Sequence, residues 1–253
     1  MMDDTIRFYD DLAASYHLIF EDWEGSVGRQ ADVLHTIISD EWGSGPHRIA
    51  DVACGIGTQA IGLAGLGHTV TASDISANSV RRAQYEATRR GLDMAFSVGD
   101  MRTCHDRLGS GFDLVIACDN AVPHLLNDGD ILNALRQMHG CLRPGGGVLL
   151  TARDYAKEPR GRGIMKPYGV REVDRRRIVA FQVWDFDGDH YDLSLYLVDD
   201  TGSPTSPTTR AYRSRYYAVS TERLCELMEE ARFSSVRRID ERFYQPVLIG
   251  TRR

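Results

Sequence analysis

The residues best able to do chemistry in this sequence stand where predicted strands end. Asp51, Gly55 and Gly57 follow one apolar run, and Asp74 ends the next. Two glycines after a strand let the backbone approach a ligand closely, and the helix that follows offers its N-terminus to a polar ligand. An acidic residue at the tip of the next strand can accept hydrogen bonds from ribose hydroxyls. Residues 48–76 therefore predict a cradle for a nucleoside-containing cofactor.

Two kinds of cofactor fit this stretch. Gly55, Gly57 and Ala60 satisfy the dinucleotide pattern G-x-G-x-x-G/A, with Asp74 about 20 residues further on. Asp51, however, stands at the end of the strand, where its carboxylate would repel a pyrophosphate and attract a cation. The resulting D-x-A-C-G-x-G resembles motif I of the class I S-adenosylmethionine-dependent methyltransferases, in which a carboxylate helps to hold the methionyl ammonium group. We therefore favour S-adenosylmethionine, and keep an NAD-dependent oxidoreductase as an alternative.

Three more polar clusters follow predicted strands: Asp100, residues 119–124 and residues 153–155. Strands and helices alternate with short connections, which is typical of a doubly wound parallel sheet. Ligands of such sheets bind beyond the carboxyl ends of the strands, where these clusters would meet. We predict an α/β fold with a Rossmann-like, seven-stranded doubly wound sheet, formed by residues 46–153 and 219–253.

Two further regions are expected to cover this edge of the sheet. Apolar residues recur at helical spacing over residues 3–20, and Ser26 can cap a second helix, so residues 1–45 are predicted to form an N-terminal helical lid. A plain helical cap on the sheet edge is the alternative interpretation. Four residues favour an active-site lid rather than a plain cap: Tyr9, Tyr16, Trp23 and Arg29.

Residues 154–218 are predicted to form an inserted, substrate-covering antiparallel region. Its turns are expected at Gly188 and over residues 202–207. The three predicted strands are 175–186, 191–198 and 209–218. Elsewhere a P-G-G turn is expected within residues 143–147, and Pro246 indicates that the last strand lies near an edge or a bulge. The predicted caps of the later helices are Ser76, Asp130 and Thr221.

The composition restricts the classes of molecule that this protein is expected to bind. The 253 residues are 42% hydrophobic and 26% charged, which is ordinary for a globular protein, and the net charge of −6 argues against nucleic acid. No apolar run approaches the roughly 20 residues of a membrane span, and the acidic start lacks the layout of a signal peptide. The five cysteines have no C-x-x-C spacing, which favours reduced thiols over disulfides or zinc. We expect a cytoplasmic protein with a small-molecule acceptor, without a metal or a membrane partner. The sequence leaves open whether it is a monomer or a homo-oligomer.

Within the methyltransferases the chain resembles the glycine N-methyltransferase group, which includes the glycine/sarcosine methyltransferases. Three stretches carry the resemblance: residues 9–24 followed by Arg29, residues 120–125 after the fourth predicted strand, and residues 151–155 after the fifth.

The resemblance implies a map of the site. Arg29 would pair with the carboxylate of the donor through its bidentate guanidinium, and Arg153 would bind the carboxylate of the acceptor. The implied cofactor contacts are Tyr9, Tyr16, Trp23, Arg29, Asp51, Ala53, Gly55, Gly57, Asp74, Ile75, Asp100, Met101, Arg102, Cys118 and His124. The implied catalytic and acceptor-binding residues are Tyr16, Asn120, His124 and Arg153.

Transfer of a methyl group from a sulfonium needs alignment, exclusion of water and an unprotonated acceptor. His124 would either accept a proton from the acceptor or hold it in place. We expect N-methylation of an amino acid or a related amine bearing a carboxylate. An O-methyltransferase of a small secondary metabolite (on a carboxylate, phosphonate or hydroxyl) is the first alternative, and a non-catalytic S-adenosylmethionine-binding protein is a further one.

Overall fold

The computed structural model describes residues 4–173, 175–202 and 207–253. Its strands form two sheets, one of seven strands and one of four. The strands are β1 (Arg48–Asp51), β2 (Thr69–Asp74), β3 (Ala95–Val98), β4 (Phe112–Ala117), β5 (Leu142–Thr151), β6 (Ile164–Val173), β7 (Arg176–Asp187), β8 (His190–Asp200), β9 (Thr208–Tyr217), β10 (Phe233–Ile239) and β11 (Val247–Arg252). The α-helices are α1 (Asp4–Leu12), α2 (Trp23–Trp42), α3 (Thr58–Gly65), α4 (Ala77–Arg89), α5 (Cys104–Leu108), α6 (Asp128–Cys141) and α7 (Thr221–Glu230).

The larger sheet has the strand order β10-β11-β5-β4-β1-β2-β3. The strands from β5 to β3 pair in parallel, while β11 runs antiparallel to both β5 and β10. In β4, Leu114 and Ile116 pack with residues of α2 and α3, whereas Val115 and Ala117 pack with residues of α6 and α7. The strand is buried on both faces, as a central parallel strand should be. The predicted Rossmann-like α/β fold is confirmed.

The N-terminal region departs from the helical pattern predicted over residues 3–20. Helix α1 ends at Leu12, and Tyr16–Ile19 form a separate 3-10 turn. Both Leu12 and Leu18 are buried in the core beneath the smaller sheet. The chain breaks its helix so that residues on both sides of the break reach this core, because burial of apolar side chains outweighs local periodicity.

Several helices begin earlier than their predicted caps. Helix α2 starts after Asp22 rather than Ser26, because the Asp22 carboxylate accepts a hydrogen bond of 2.9 Å from the Gly25 N–H. The prediction for α4 is confirmed, since Ser76 accepts from the Ser79 N–H. The caps of α6 and α7 are Asn127 and Ser220, in place of the predicted Asp130 and Thr221.

The smaller sheet has four strands, in the order β6-β7-β8-β9, where three were predicted. The strand missed from the sequence, β6, contains Pro167 and Gly169, which look like turn residues. Proline is tolerated in β6 because it is an edge strand, and its pairing with β7 shifts register between these two residues. The predicted turn at Gly188 joins β7 to β8. Of the predicted turn over residues 202–207, residues 203–206 lie outside the described part of the chain.

One prediction for the larger sheet was wrong. Residues 143–147 lie within β5 rather than in a turn before it, and the register of β5 against β4 shifts there. Gly147 is required in this place because an added Cβ would approach the Trp42 ring to 2.1 Å. Pro246 precedes β11, which is internal but lies next to the edge strand β10, and the pairing of these two strands shifts register between Ser234 and Arg237. This agrees with the predicted position near an edge or a bulge.

Among the described residues, no helix is both long and apolar enough to cross a membrane. All five cysteines are free thiols.

Candidate functional site

A cavity of about 250 Å³, here called cavity A, opens at the carboxyl ends of β1, β2 and β4. Most of the residues predicted to contact the cofactor line it. They are Tyr9, Tyr16, Ala53, Gly55, Asp74, Ile75, Asp100, Met101, Arg102, Cys118 and His124.

The glycine loop closes one side of cavity A. Gly55 adopts a φ of 53°, and its N–H donates to the Asp74 carboxylate at 2.8 Å. The other oxygen of Asp74 accepts the Ser76 N–H at 2.9 Å, so this carboxylate joins the loop to the start of α4. Gly57 differs from the prediction, because it does not line the cavity. It caps α3 with a φ of 95°, and an added Cβ would lie 2.6 Å from Ile61.

Asp51 is buried at the end of β1, with only 1% of its surface exposed. One carboxylate oxygen accepts the Ala53 N–H at 3.2 Å, and the other has no partner in the described protein. Burial, with a smaller contribution from the negative charge of Asp74, raises the pKa of Asp51 to about 7. Its neighbours Val52 and Ala53 line cavity A. A buried carboxylate with a free oxygen fits a ligand that brings a cation to this place.

Two further predicted cofactor contacts, Arg29 and Trp23, do not line the cavity. The side chain of Arg29 is 64% exposed and pairs with Asp22 at 3.3 Å. It lines neither this cavity nor the second one described below, because α2 turns Val27 and Ala31 inward instead. Trp23 is buried, but its Nε1–H donates to the Thr58 hydroxyl at 2.9 Å. Thr58 lines cavity A, so Trp23 contacts a residue of the cavity wall without lining the cavity itself.

At the β3 side of cavity A, an arginine joins two carboxylates. Arg102 contacts Asp100 at 2.6 Å and Asp130 at 3.1 Å. Asp100 also accepts the Arg102 N–H at 2.8 Å, which fixes the 3-10 turn that carries Met101. This end of the cavity therefore combines a fixed polar edge with an apolar side chain, which suits a flat heterocycle.

A second cavity, of about 990 Å³ and here called cavity B, lies between the N-terminal helices, the smaller sheet and the end of β5. Tyr9, Tyr16 and Asp119 line both cavities, so the two meet at these residues. The predicted residues Asn120 and Arg153 line cavity B and not cavity A. The arrangement can bring two different molecules into contact at the shared residues.

His124 lies beside this junction. Its Nε2 is 2.7 Å from the Tyr9 hydroxyl, and its ring stands 3.9 Å from the ring of Tyr216. Burial lowers the pKa of His124 to about 3, so the imidazole is neutral at neutral pH. Of the two roles left open by the sequence, this environment disfavours accepting a proton from the acceptor. The contact of His124 with Tyr9 was not predicted.

Asn120 and Arg153 are tied to each other at the edge of cavity B. Asn120 donates to the Tyr155 hydroxyl at 2.8 Å and accepts the Arg153 backbone N–H at 3.0 Å. The guanidinium of Arg153 pairs with Glu158 at 3.3 Å, while its Nε has no partner in the described protein. Lys166 also pairs with Glu158, so this group carries one more positive than negative charge.

Sequence reasoning missed several residues of the site. Asp119 was noticed only as part of a strand-end cluster, although it is the carboxylate shared by both cavities. Glu158, Tyr191 and Tyr216 lie in the region where the predicted strands were incomplete, and they line cavity B. No local pattern marks them, because their partners come from distant segments. In the described residues, no group of three histidine, cysteine or acidic side chains is arranged to hold a metal ion.

Comparison with known proteins agrees with this geometry. The methyltransferase domain family matches residues 49–146. The glycine/sarcosine N-methyltransferase of Parasynechococcus marenigrum is 28% identical over 134 residues, covering 53% of this chain and 46% of the relative. The rat glycine N-methyltransferase is 28% identical over 207 residues, covering 74% and 69%. The chain spans about half the length of the first of these relatives.

The solved structures show the same fold. A S-adenosylmethionine-bound amino pentose methyltransferase of Micromonospora echinaspora superposes with a TM-score of 0.79 at 17% identity, covering 95% of each chain. The family match shows a methyltransferase domain over residues 49–146, and this likeness shows that the chain has the fold of the solved methyltransferase.

Proposed function

We propose that this chain, which carries a class I methyltransferase domain, transfers the methyl group of S-adenosylmethionine to a nitrogen atom of a small molecule. The observation that carries this proposal is the meeting of cavities A and B at Tyr9, Tyr16 and Asp119. One cavity has the size and polar groups of a nucleoside site, and the other is large enough for a separate acceptor.

In this proposal cavity A holds the methyl donor. The free oxygen of Asp51 would receive the methionyl ammonium, and Asp74 would receive the ribose hydroxyls. Asp100 and Met101 would hold the adenine. Since Arg29 is exposed and paired elsewhere, the donor carboxylate would instead lie near Thr58, at the N-terminus of α3, where backbone N–H groups favour an anion.

Cavity B would hold the acceptor. The surplus positive charge around Arg153 and Lys166 supports an acceptor with an anionic group, such as an amino acid or a related amine. The names of the relatives, which act on glycine or sarcosine, support a nitrogen acceptor, and so does that of the amino pentose enzyme. A volume of about 990 Å³ is far more than glycine fills, which supports a larger amine.

When bound, S-adenosylmethionine supplies a methyl group on a sulfonium that leaves readily. The chain would contribute alignment, which can supply on the order of 7–11 kcal/mol. Tyr9, held by His124, and Tyr16 would line the junction of the two cavities, where the donor and the acceptor would face each other. The aromatic wall would also exclude water from the reacting atoms.

Calorimetry and a methyl-transfer screen test the proposal. The protein should bind S-adenosylhomocysteine and neither NAD nor NADP. Mass detection over amino acids, amines, amino sugars, carboxylic acids and alcohols should then show a product 14 mass units heavier only for amines, since a methyl group replaces a hydrogen. Preference for NAD would contradict the donor assignment. Methylation of oxygen alone would establish the O-methyltransferase alternative, and binding without any transfer would favour a sensor.

A further inference from the structure

Asp119 follows β4 directly and contributes to the walls of both cavities. We propose that its carboxylate binds the acceptor as an ammonium ion and takes up the proton that must leave nitrogen before methyl transfer. This inference rests on the proposed function and deepens it, since it names a protonated amine as the acceptor and Asp119 as the residue that recognises it.

The backbone at this place is unusual. Asp119 and Asn120 have φ values of 57° and 63°, so two consecutive residues other than glycine adopt the left-handed conformation. Thr151 holds both of them: its hydroxyl accepts the Asp119 N–H at 2.7 Å, and its carbonyl accepts the Asn120 N–H at 3.0 Å. Outliers of this kind persist where the surrounding structure enforces them, and they cluster at functional sites. Here the left-handed residues stand where cavities A and B meet, and the Asp119 carboxylate lies at that junction.

Asp119 has no oppositely charged partner within the described residues. Its oxygens accept weak hydrogen bonds from the Tyr16 hydroxyl at 3.3 Å and the Gln245 amide at 3.4 Å, and the Tyr244 hydroxyl also faces this carboxylate. No lysine, arginine or histidine of the described chain forms an ion pair with it. By contrast, Asp74 accepts two backbone N–H groups and Asp100 pairs with Arg102. The Asp119 carboxylate is therefore available to pair with a cation that arrives with a ligand.

The other groups at the junction can contact a cation but are not placed to take up its proton. Tyr9 and Tyr16 present aromatic rings and neutral hydroxyls, and aromatic faces attract ammonium groups. Burial is the main reason that the pKa values of both phenols lie well above their usual value. The Nε2 of His124 is already engaged by the Tyr9 hydroxyl at 2.7 Å. Asp119 supplies the carboxylate at the junction, and once water is excluded an ammonium–carboxylate pair can pass to a neutral amine and a neutral acid, because desolvation disfavours both charged forms.

The proposed step balances. A proton passes from the ammonium nitrogen to a carboxylate oxygen of Asp119, which becomes a neutral acid. The lone pair of the nitrogen then forms a bond to the methyl carbon as the carbon–sulfur bond breaks and leaves a neutral thioether. The product is a methylated ammonium ion, and Asp119 afterwards releases its proton to solvent through cavity B. A hydroxyl acceptor would bring no positive charge to offset the carboxylate.

The first test uses binding and does not depend on the identity of the acceptor. Ligand-observed NMR would measure the affinity of ethylammonium and of ethanol for the protein saturated with S-adenosylhomocysteine. The wild type should bind ethylammonium at least tenfold more tightly than ethanol, and Asp119→Asn should lose that preference. The matched control Asp32→Asn removes an exposed carboxylate of α2 and should keep it. Equal ethylammonium binding by wild type and Asp119→Asn, or binding by neither, would overturn the proposal.

The second test uses the amine found in the methyl-transfer screen. Asp119→Asn should lower kcat/KM at least 100-fold while leaving the affinity for S-adenosylhomocysteine within twofold, and Asp119→Glu should restore part of the activity. An unchanged kcat/KM in Asp119→Asn would overturn the role of Asp119 and leave the proposed function intact. Failure of the wild type to bind S-adenosylhomocysteine would instead refute the proposed function itself.

Discussion

Replacing Asp51 with asparagine should make the ligand-free protein more stable and its donor binding weaker. The carboxyl group is 1% exposed and its pKa is about 7, against an unfolded value of about 3.9. Because the folded pKa is the higher one, ionisation of Asp51 lowers the free energy of unfolding as pH rises from about 4 to about 7. At pH 8 the full cost applies, about 4 kcal/mol as a ceiling.

The variant should recover part of this cost. Asparagine keeps the oxygen that accepts the Ala53 N–H, but its amide leaves a buried donor without a partner, which costs about 1–3 kcal/mol. We therefore expect the free energy of unfolding at pH 8 to rise by about 1–3 kcal/mol, the difference between the two terms. Urea denaturation of both proteins without ligand measures this change.

Donor binding should respond in the opposite direction. Removing one partner of a buried charge pair costs about 2 kcal/mol or more, so the affinity for S-adenosylhomocysteine should fall about thirtyfold or further. In the wild type this affinity should also fall about tenfold for each pH unit below 7, because Asp51 must lose its proton to receive the ammonium. Asp51→Asn should remove most of this pH dependence, and any remaining slope would belong to Asp74, whose pKa burial also raises. A variant that is destabilised and binds S-adenosylhomocysteine normally at every pH would refute this reasoning.

Other substitutions test acceptor binding, the hydrogen bond between Trp23 and Thr58, and the loss of stability in acid. Arg153→Ala should raise KM for an anionic amine about tenfold or more, while calorimetry shows the same affinity for S-adenosylhomocysteine within twofold. Trp23→Phe removes the bond to Thr58 and should lower the free energy of unfolding by about 1 kcal/mol; a loss of donor affinity beyond tenfold would instead indicate direct contact. Burial, with His35 nearby, lowers the pKa of His68 to about 4, so the melting temperature should fall as pH drops from about 6.5 to 4, and less steeply in His68→Gln.

The sequence by itself determined the fold and which polar residues stand at the strand ends. The strand-end residues Asp51, Gly55, Asp74 and Asp100 could be placed because parallel strands carry their carboxyl ends to one edge, whatever the remaining packing. The seven-stranded sheet followed from alternating strands and helices, which are local patterns. Strand β6 was missed because it contains a proline, which a strand tolerates at the edge of a sheet. Which strand forms the edge is decided only when the sheet assembles.

Only the tertiary structure decided which side chains face the cavities. Arg29 could not be excluded from the sequence, because a small rotation of α2 separates a cavity-facing residue from an exposed one. Likewise the pairing of Arg153 and Lys166 with Glu158 joins side chains of different segments, and no spacing in the sequence predicts it. Asp119 is the clearest case. It lies where the two cavities meet, and its left-handed backbone is held by a threonine more than thirty residues away. Such long-range constraints leave no local pattern in the sequence.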